Sequence, residues 1–386
     1  MQFPKKYFEL RSQFNPVAER TDFGGSSVSC HSCRFNSSYP AGLHFGSKAP
    51  VSESDKIFGI PDESIMENQS FNYYVFTPGT KQKNNRAIIL LHGLNERSWI
   101  KYLAWAYYLA ENTGHPVILF PIAFHMNRSP EAWGNPRMMQ PLHTLRTQKY
   151  GDDPASTFAN VALSERLTED PLRFFSSGMQ SADDLANLIR QIKLGDHPLF
   201  EASATTDVFA YSIGAFLAQI LFLANPAELF SRSKLFLFCG GAFFDAMNGV
   251  SRLIMDKVAF SRLRSFYIDE LNIAQAGSLS LSETINKTKL GQAFLAMLAP
   301  GLMQTFREER FREMSDNLQV IALKNDRIIP SGEIVNALGK YTDVEVLDFP
   351  FGYSHEIPFP LNNSLQFQLA DEAFEKVFSR AADFLR

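Results

Sequence analysis

The chain has 386 residues, 45% of them hydrophobic and 20% charged, with a mean hydropathy of -0.14. That length allows one large domain with insertions or two domains, and the composition is that of a globular protein, not a disordered one. A formal charge of -4 and a pI near 6.1 leave no basic footprint for nucleic acid or for an anionic membrane.

The first residues, Met1 to Leu10, hold no apolar core of a secretory signal. The longest apolar stretch, Ile213 to Ala224, is interrupted by Gln219 and is too short to cross a bilayer, so no stable membrane insertion is expected. A cytoplasmic protein is the expectation. Three cysteines are too few for a disulfide framework. Cys30-His-Ser-Cys33 has metal-like spacing, with His44 nearby, but a closed zinc site takes four ligands from paired clusters and Cys239 lies far along the chain. Free thiols and no bound metal are therefore expected. Asn36, Asn68 and Asn286 head glycosylation-acceptor triplets, which carry no meaning without secretion.

Residues 1–60, rich in Ser, Gly, Pro and Phe and without a sustained period, are expected to form an irregular N-terminal extension. Phe71 to Phe76 reads as a strand, a polar turn from Lys81 to Arg86 follows, and Ala87 to Leu91 reads as a second strand. That second run is apolar throughout, as a strand covered on both faces must be. His92-Gly-Leu-Asn95 comes next. A glycine there lets backbone amides turn toward the space above the sheet, although a plain strand-to-helix turn explains it as well.

A helix is expected from Trp99 to Glu111, then a strand over Val117 to Phe120. The segment from Ile122 to Phe175 is long, proline-punctuated and rich in aromatic and aliphatic residues; leaving the carboxyl end of a strand, it is expected to line a pocket. Ser181-Ala-Asp-Asp184 resembles a capping box and predicts a helix start. Leu235 to Cys239 gives another buried strand. Between Asp245 and Asp316 the alternation stops, and helical spacing appears over Val250 to Val258, around Phe294 to Leu298, and over Phe306 to Met314. This predicts a helical insertion over residues 245–316 that covers the site as a lid, or simply packs on a flank. The rhythm resumes with Leu318 to Leu323, a short helix from Gly332 to Leu338, Val344 to Leu347, and a last amphipathic helix from Leu365 to Leu385. Strands alternating with helices predict an α/β fold: a mostly parallel twisted sheet of about eight strands with helices on both faces.

The stretch Asp207-Val-Phe-Ala-Tyr-Ser-Ile-Gly-Ala215 passes from a β-favouring run into a helix-forming one, which places Ser212 on a sharp strand-to-helix turn. Only small residues fit two positions either side of such a serine, here Ala210 and Gly214. A serine hydroxyl is a weak nucleophile until an imidazole takes its proton, and that imidazole works best when a carboxylate fixes its tautomer. Asp326 and His355 also lie just past strand ends, and in a parallel sheet those ends share one edge.

Four pieces then resemble the α/β-hydrolase superfamily: His92-Gly-Leu94 after its third strand, Ala210-Tyr-Ser-Ile-Gly214 after its fifth, Asn325-Asp-Arg-Ile-Ile-Pro330 after its seventh, and Gly352-Tyr-Ser-His355 after its last. Alanine in place of the first elbow glycine is a departure. The resemblance covers roughly Phe71 to Arg386 and implies a serine esterase or lipase without cofactor. Residues 61–244 and 317–386 would form the core with a small acyl compound as substrate, and the 35 phenylalanines and the apolar lid stretches favour one that is partly hydrophobic. Carried over, Ser212 is the nucleophile, His355 the base and Asp326 the orienting acid. Backbone amides of Leu94 and Ile213 would form the oxyanion hole. Asp245 is the rival acid, His125 and His143 are wall residues, His92 is structural, and Glu356 is poorly placed to reach the neighbouring ring. An acyltransferase using the same residues and a non-catalytic binding protein are the alternatives.

Overall fold

The computed structural model describes residues 1–40, 62–79 and 83–386. His44, the second half of the expected N-terminal extension and the start of the Lys81–Arg86 turn lie outside the described residues. Nine strands form one sheet: β1 (Arg20–Asp22), β2 (Val28–Asn36), β3 (Ser70–Pro78), β4 (Asn84–Leu91), β5 (Val117–Leu119), β6 (Phe200–Tyr211), β7 (Leu235–Phe238), β8 (Leu318–Leu323) and β9 (Val344–Leu347). Their order is β1-β2-β3-β5-β4-β6-β7-β8-β9. From β5 through β9 every neighbouring pair is parallel, while β1, β2 and β3 add on antiparallel. This is an α/β fold with one strand more than the sequence suggests.

Alternate residues of each central strand feed opposite cores. Ile89, Leu91, Val208, Leu237 and Val320 face the helices Leu172–Leu194 and Ile213–Ala224. Ile88, Leu90, Phe209, Phe236 and Ile321 face the helices Ile100–Thr113 and Phe367–Leu385. Burial on both faces explains why these strands read as unbroken apolar runs. No described helix is long and apolar enough to cross a membrane.

The described part of residues 1–60 is not irregular. Phe3–Gln13 is a helix whose Phe3 ring stacks on Phe374 of the last helix at 4.2 Å, and β2 pairs with β3 over nine residues. The β2 sequence lacks alternation because its order comes from that ladder, not from its own apolar content. The helix expected to start at Ser181 begins at Leu172, after Pro171. Ser181 and Asp184 are buried in its interior: the Ser181 hydroxyl donates to the Ser177 carbonyl and Asp184 pairs with Arg128 at 2.8 Å. Tertiary partners account for both polar residues, which a capping box does not.

The Ile122–Phe175 segment contains the helices Pro136–Tyr150 and Val161–Glu169. Residues 245–316 contain the helices Lys257–Ser265, Leu271–Gly277, Leu279–Lys287, Lys289–Leu298 and Gln304–Glu313. Val250 to Val258 is not one helix. Val250 and Met255 form a bridge, and Asp256 caps the helix that starts at Lys257 by accepting from the Ala259 amide. Arg146 locks the two excursions together, forking onto Asp256 at 2.5 and 2.7 Å and reaching Glu165 at 2.5 Å.

Candidate active site

β6 ends at Tyr211, and Ser212 turns the chain with φ +58° and ψ -122° before the helix Ile213–Ala224 begins. A non-glycine residue at positive φ is strained and persists only where its surroundings dictate it. Here they do. A Cβ on Gly214 would come within 2.8 Å of the His92 carbonyl oxygen and of Leu91, and one on Gly240 within 2.3 Å of the Ala215 methyl. The turn is thus wedged between the ends of β4 and β7. The methyl of Ala210 is accommodated there fully buried. Asn95, Phe124 and Cys239, also at positive φ, follow β4, β5 and β7, so strained backbone gathers along the carboxyl edge of the sheet.

The serine, histidine and aspartate sought in the sequence meet at that edge. Ser212 Oγ lies 2.6 Å from His355 Nε2, and His355 Nδ1 lies 2.7 Å from Asp326 Oδ2. An ionised carboxylate only accepts, so Nδ1 carries the proton and Nε2 is left as the acceptor for the serine hydroxyl. The other carboxylate oxygen, Asp326 Oδ1, accepts from the Ile328 and Ile329 amides at 2.9 and 3.0 Å, which fixes the acid without a cation. Ser212, His355 and Asp326 are each no more than 5% exposed. Asp245 takes no part: it lies in the turn after β7, where its carbonyl accepts from Arg264.

Several neighbours hold the histidine that sequence reasoning did not single out. The Tyr211 ring stacks on His355 at 5.5 Å and 17°, and its hydroxyl donates to the His355 carbonyl. Lys101 sits 4.8 Å over the Tyr211 ring, donates to the Glu356 carbonyl at 3.1 Å and pairs with Glu96. The Glu356 carboxylate accepts from the Ser251 hydroxyl, away from the ring. Tyr211 adjoins the elbow serine, and that adjacency is the one signal by which it could have been found.

Leu94 and Ile213, the expected oxyanion-hole residues, both line the pocket that Ser212 faces. Neither amide is taken by a backbone carbonyl of a loop or turn among the described residues, and that of Ile213 opens the first turn of a helix. His92 sets the path of this loop. Its Nε2 accepts from the Ile122 amide at 2.9 Å, its Nδ1 donates to the Gly93 carbonyl at 2.8 Å, and its own carbonyl accepts from Gly214 at 3.1 Å. Burial pushes its pKa well below the ordinary value, so the ring is uncharged. Asn95 reaches further: its Nδ2 donates to the carbonyls of Ala159 and Leu253, both at 2.8 Å, and its Oδ1 accepts from Arg97.

Two apolar pockets flank the Leu94 and Ile213 amides. One, about 450 Å³ of space partly open to solvent, is lined by Ser212 together with Met247, Met255, Ile328 and Ile329. The other, about 560 Å³, runs between the Leu172–Leu194 and Ile213–Ala224 helices and ends against Phe294. His125 lines the second pocket as expected of a wall residue, whereas His143 packs on Phe158 and donates to the Ser156 carbonyl. Cys30 and Cys33 lie on β2 as free thiols, and burial pushes the Cys33 thiol up to about 11. Among the described residues, no three His, Cys, Asp or Glu side chains gather in a way that could hold a metal ion.

In fold, the chain is similar to several solved hydrolases. A carboxyl esterase 2 from the mycorrhizal fungus Tuber melanosporum is 9% identical, with a TM-score of 0.45 over 100% of this chain and 97% of the other. The esterase Est22, solved with p-nitrophenol, is 11% identical, with a TM-score of 0.46 over 99% and 86%. The peroxisomal alpha-beta-hydrolase Lpx1 from Saccharomyces cerevisiae is 15% identical, with a TM-score of 0.40 over 93% and 90%. Among curated proteins, none matches the chain in sequence. One family model, described as a family of unknown function (DUF6051), matches residues 1–386.

Proposed function

We propose that this chain, which belongs to the DUF6051 family of unknown function, is a serine hydrolase that cleaves carboxylic esters through a covalent acyl-enzyme. The observation that carries this reading is the hydrogen-bonded series Ser212, His355, Asp326 at an elbow of positive φ. Ser212 Oγ attacks the ester carbonyl as its proton passes to His355 Nε2. The tetrahedral oxyanion is stabilised by the amides of Leu94 and Ile213. The carbon–oxygen bond to the alcohol then breaks, and the departing alkoxide takes the proton from Nε2. Water repeats the sequence: its proton goes to His355, its oxygen attacks the acyl carbon, and Ser212 leaves with the proton restored. Asp326 stays ionised throughout and holds the ring. In this reading residues 245–316 act as the lid over a small, partly hydrophobic substrate, on a core of residues 61–244 and 317–386 to which β1, β2 and the helix Phe3–Gln13 are added.

The test is labelling by an active-site-directed fluorophosphonate, with hydrolysis of p-nitrophenyl esters measured alongside. The wild type is expected to label and turn over, and Ser212→Ala to do neither. Equal labelling of both, or of neither, sinks the proposal. Running the reaction with added alcohol separates hydrolysis from acyl transfer by its products.

A further inference from the structure

The two pockets that share Leu94 and Ile213 are not interchangeable once the direction of proton transfer is considered. A tetrahedral carbon on Ser212 Oγ with its oxyanion at Leu94 and Ile213 has two substituents left, the acyl chain and the leaving group. The leaving oxygen must reach His355 Nε2 to collect its proton. The smaller pocket lies on that side. Ile328 and Ile329, whose amides hold Asp326, line it, as do Met247 and Gly249, which lead to Ser251 and its bond to Glu356. The larger pocket includes no residue of the Asp326 or His355 loops.

We infer that the cleft between the Leu172–Leu194 and Ile213–Ala224 helices is the acyl subsite, that it takes an uncharged hydrophobic chain longer than acetyl, and that Gly178 keeps it open. The inference rests on the serine-hydrolase reading above. Phe174, Met179, Phe216, Ile220 and Phe294 make the walls apolar, and no Asp, Glu, Lys or Arg lines them. The single titratable wall residue, His125, is kept neutral by burial, its pKa pushed down to about 3. A charged acyl group would lose its hydration there with nothing to replace it.

Gly178 lies inside a helix, where glycine is less favourable than alanine. A Cβ on it would meet no atom within 4 Å, and its φ is not positive, so neither crowding nor backbone geometry requires glycine. What its missing side chain leaves is room in the cleft it lines.

The experiment measures kcat/KM of the full chain on p-nitrophenyl esters from acetate to dodecanoate, and on acetate esters from ethyl to octyl, for wild type, Gly178→Ala and Gly178→Leu. The wild type is expected to gain at least tenfold from acetate to octanoate. Gly178→Leu should lose at least tenfold on octanoate while staying within threefold on p-nitrophenyl acetate and on every alkyl acetate, with Gly178→Ala between. A wild type indifferent to acyl length overturns the inference, as does an equal loss on all esters by folded Gly178→Leu. A loss confined to the long alkyl acetates assigns the cleft to the alcohol and overturns it too. If Gly178→Leu does not fold, Gly178→Ala must show the same selective direction, and its absence is equally fatal. Absence of any Ser212-dependent hydrolysis would instead remove the function on which the inference rests.

Discussion

Glu356, the chain neighbour of His355, accepts a hydrogen bond from Ser251, which belongs to the segment between β7 and the helix Lys257–Ser265. Two residues further on, the Leu253 carbonyl accepts from Asn95. That segment is therefore tied to the histidine loop on one side and to the loop after β4 on the other. Ser251→Ala removes a bond to a carboxylate, worth about 1–3 kcal/mol, and should let the cover lift more often. The expected outcome is faster inactivation by a bulky fluorophosphonate than in wild type, with a small phosphonate affected less. Equal rates for the bulky reagent would show that this bond does not control access.

Asp326 and Asp245 provide a direct contrast, since only the former meets the His355 ring. Asp326→Asn should lower kcat on an activated ester by about three orders of magnitude or more, because the amide no longer dictates which ring nitrogen carries the proton. Asp245→Asn should remain within about threefold. Similar losses for the two would mean that the acid has been misassigned.

His125 makes stability depend on pH. Its folded pKa of about 3, depressed by burial, lies below the ordinary value of 6.5, so the unfolded chain binds the proton first as pH falls. Stability from this ring is complete above pH ~6.5 and is lost progressively below it, by about 2 kcal/mol at pH 5. Urea unfolding at pH 7.5 and 5.0 should show a difference that His125→Gln reduces by about that amount. An unchanged difference would mean that the ring is protonated in the fold.

Arg146 pairs with both Asp256 and Glu165, and all three are buried. Arg146→Met strands two carboxylates, a loss of about 3–5 kcal/mol by comparison with other broken buried pairs. Hydrogen exchange should rise first in the helices Val161–Glu169 and Lys257–Ser265. Replacing all three by neutral residues should recover much of the loss, and if it does not, packing around Arg146 matters more than charge.

The sequence was most informative where one element had no freedom. Leu318–Leu323 falls at the expected residues because an apolar run bounded by turns can only be a buried strand here, and Val344–Leu347 does so as the half-exposed edge strand beside it. The positions of Ser212, Asp326 and His355 could be read for the same reason: parallel strands bring their carboxyl ends to one edge whatever lies between. β2 and the helix Phe3–Gln13 could not, since each is ordered by a partner distant in sequence. Val250 to Val258 has helical spacing, yet the bonds of Ser251 and Leu253 to other loops accompany a tight turn closed by the Val250–Met255 bridge, and the helix begins only at Lys257. The supporting roles of Tyr211, Asn95 and Lys101 likewise arise from contacts that no local pattern announces.

Asn95 follows Leu94 directly, and one side-chain amide on it grips Ala159 from one excursion and Leu253 from the other. Both excursions thus hang from a single peg, seated in the loop that follows β4. Lifting either excursion would slacken the residue next to the amide that the proposed mechanism places at the substrate carbonyl. In the proposed mechanism, opening of either excursion and readiness of the Leu94 amide would therefore exclude one another.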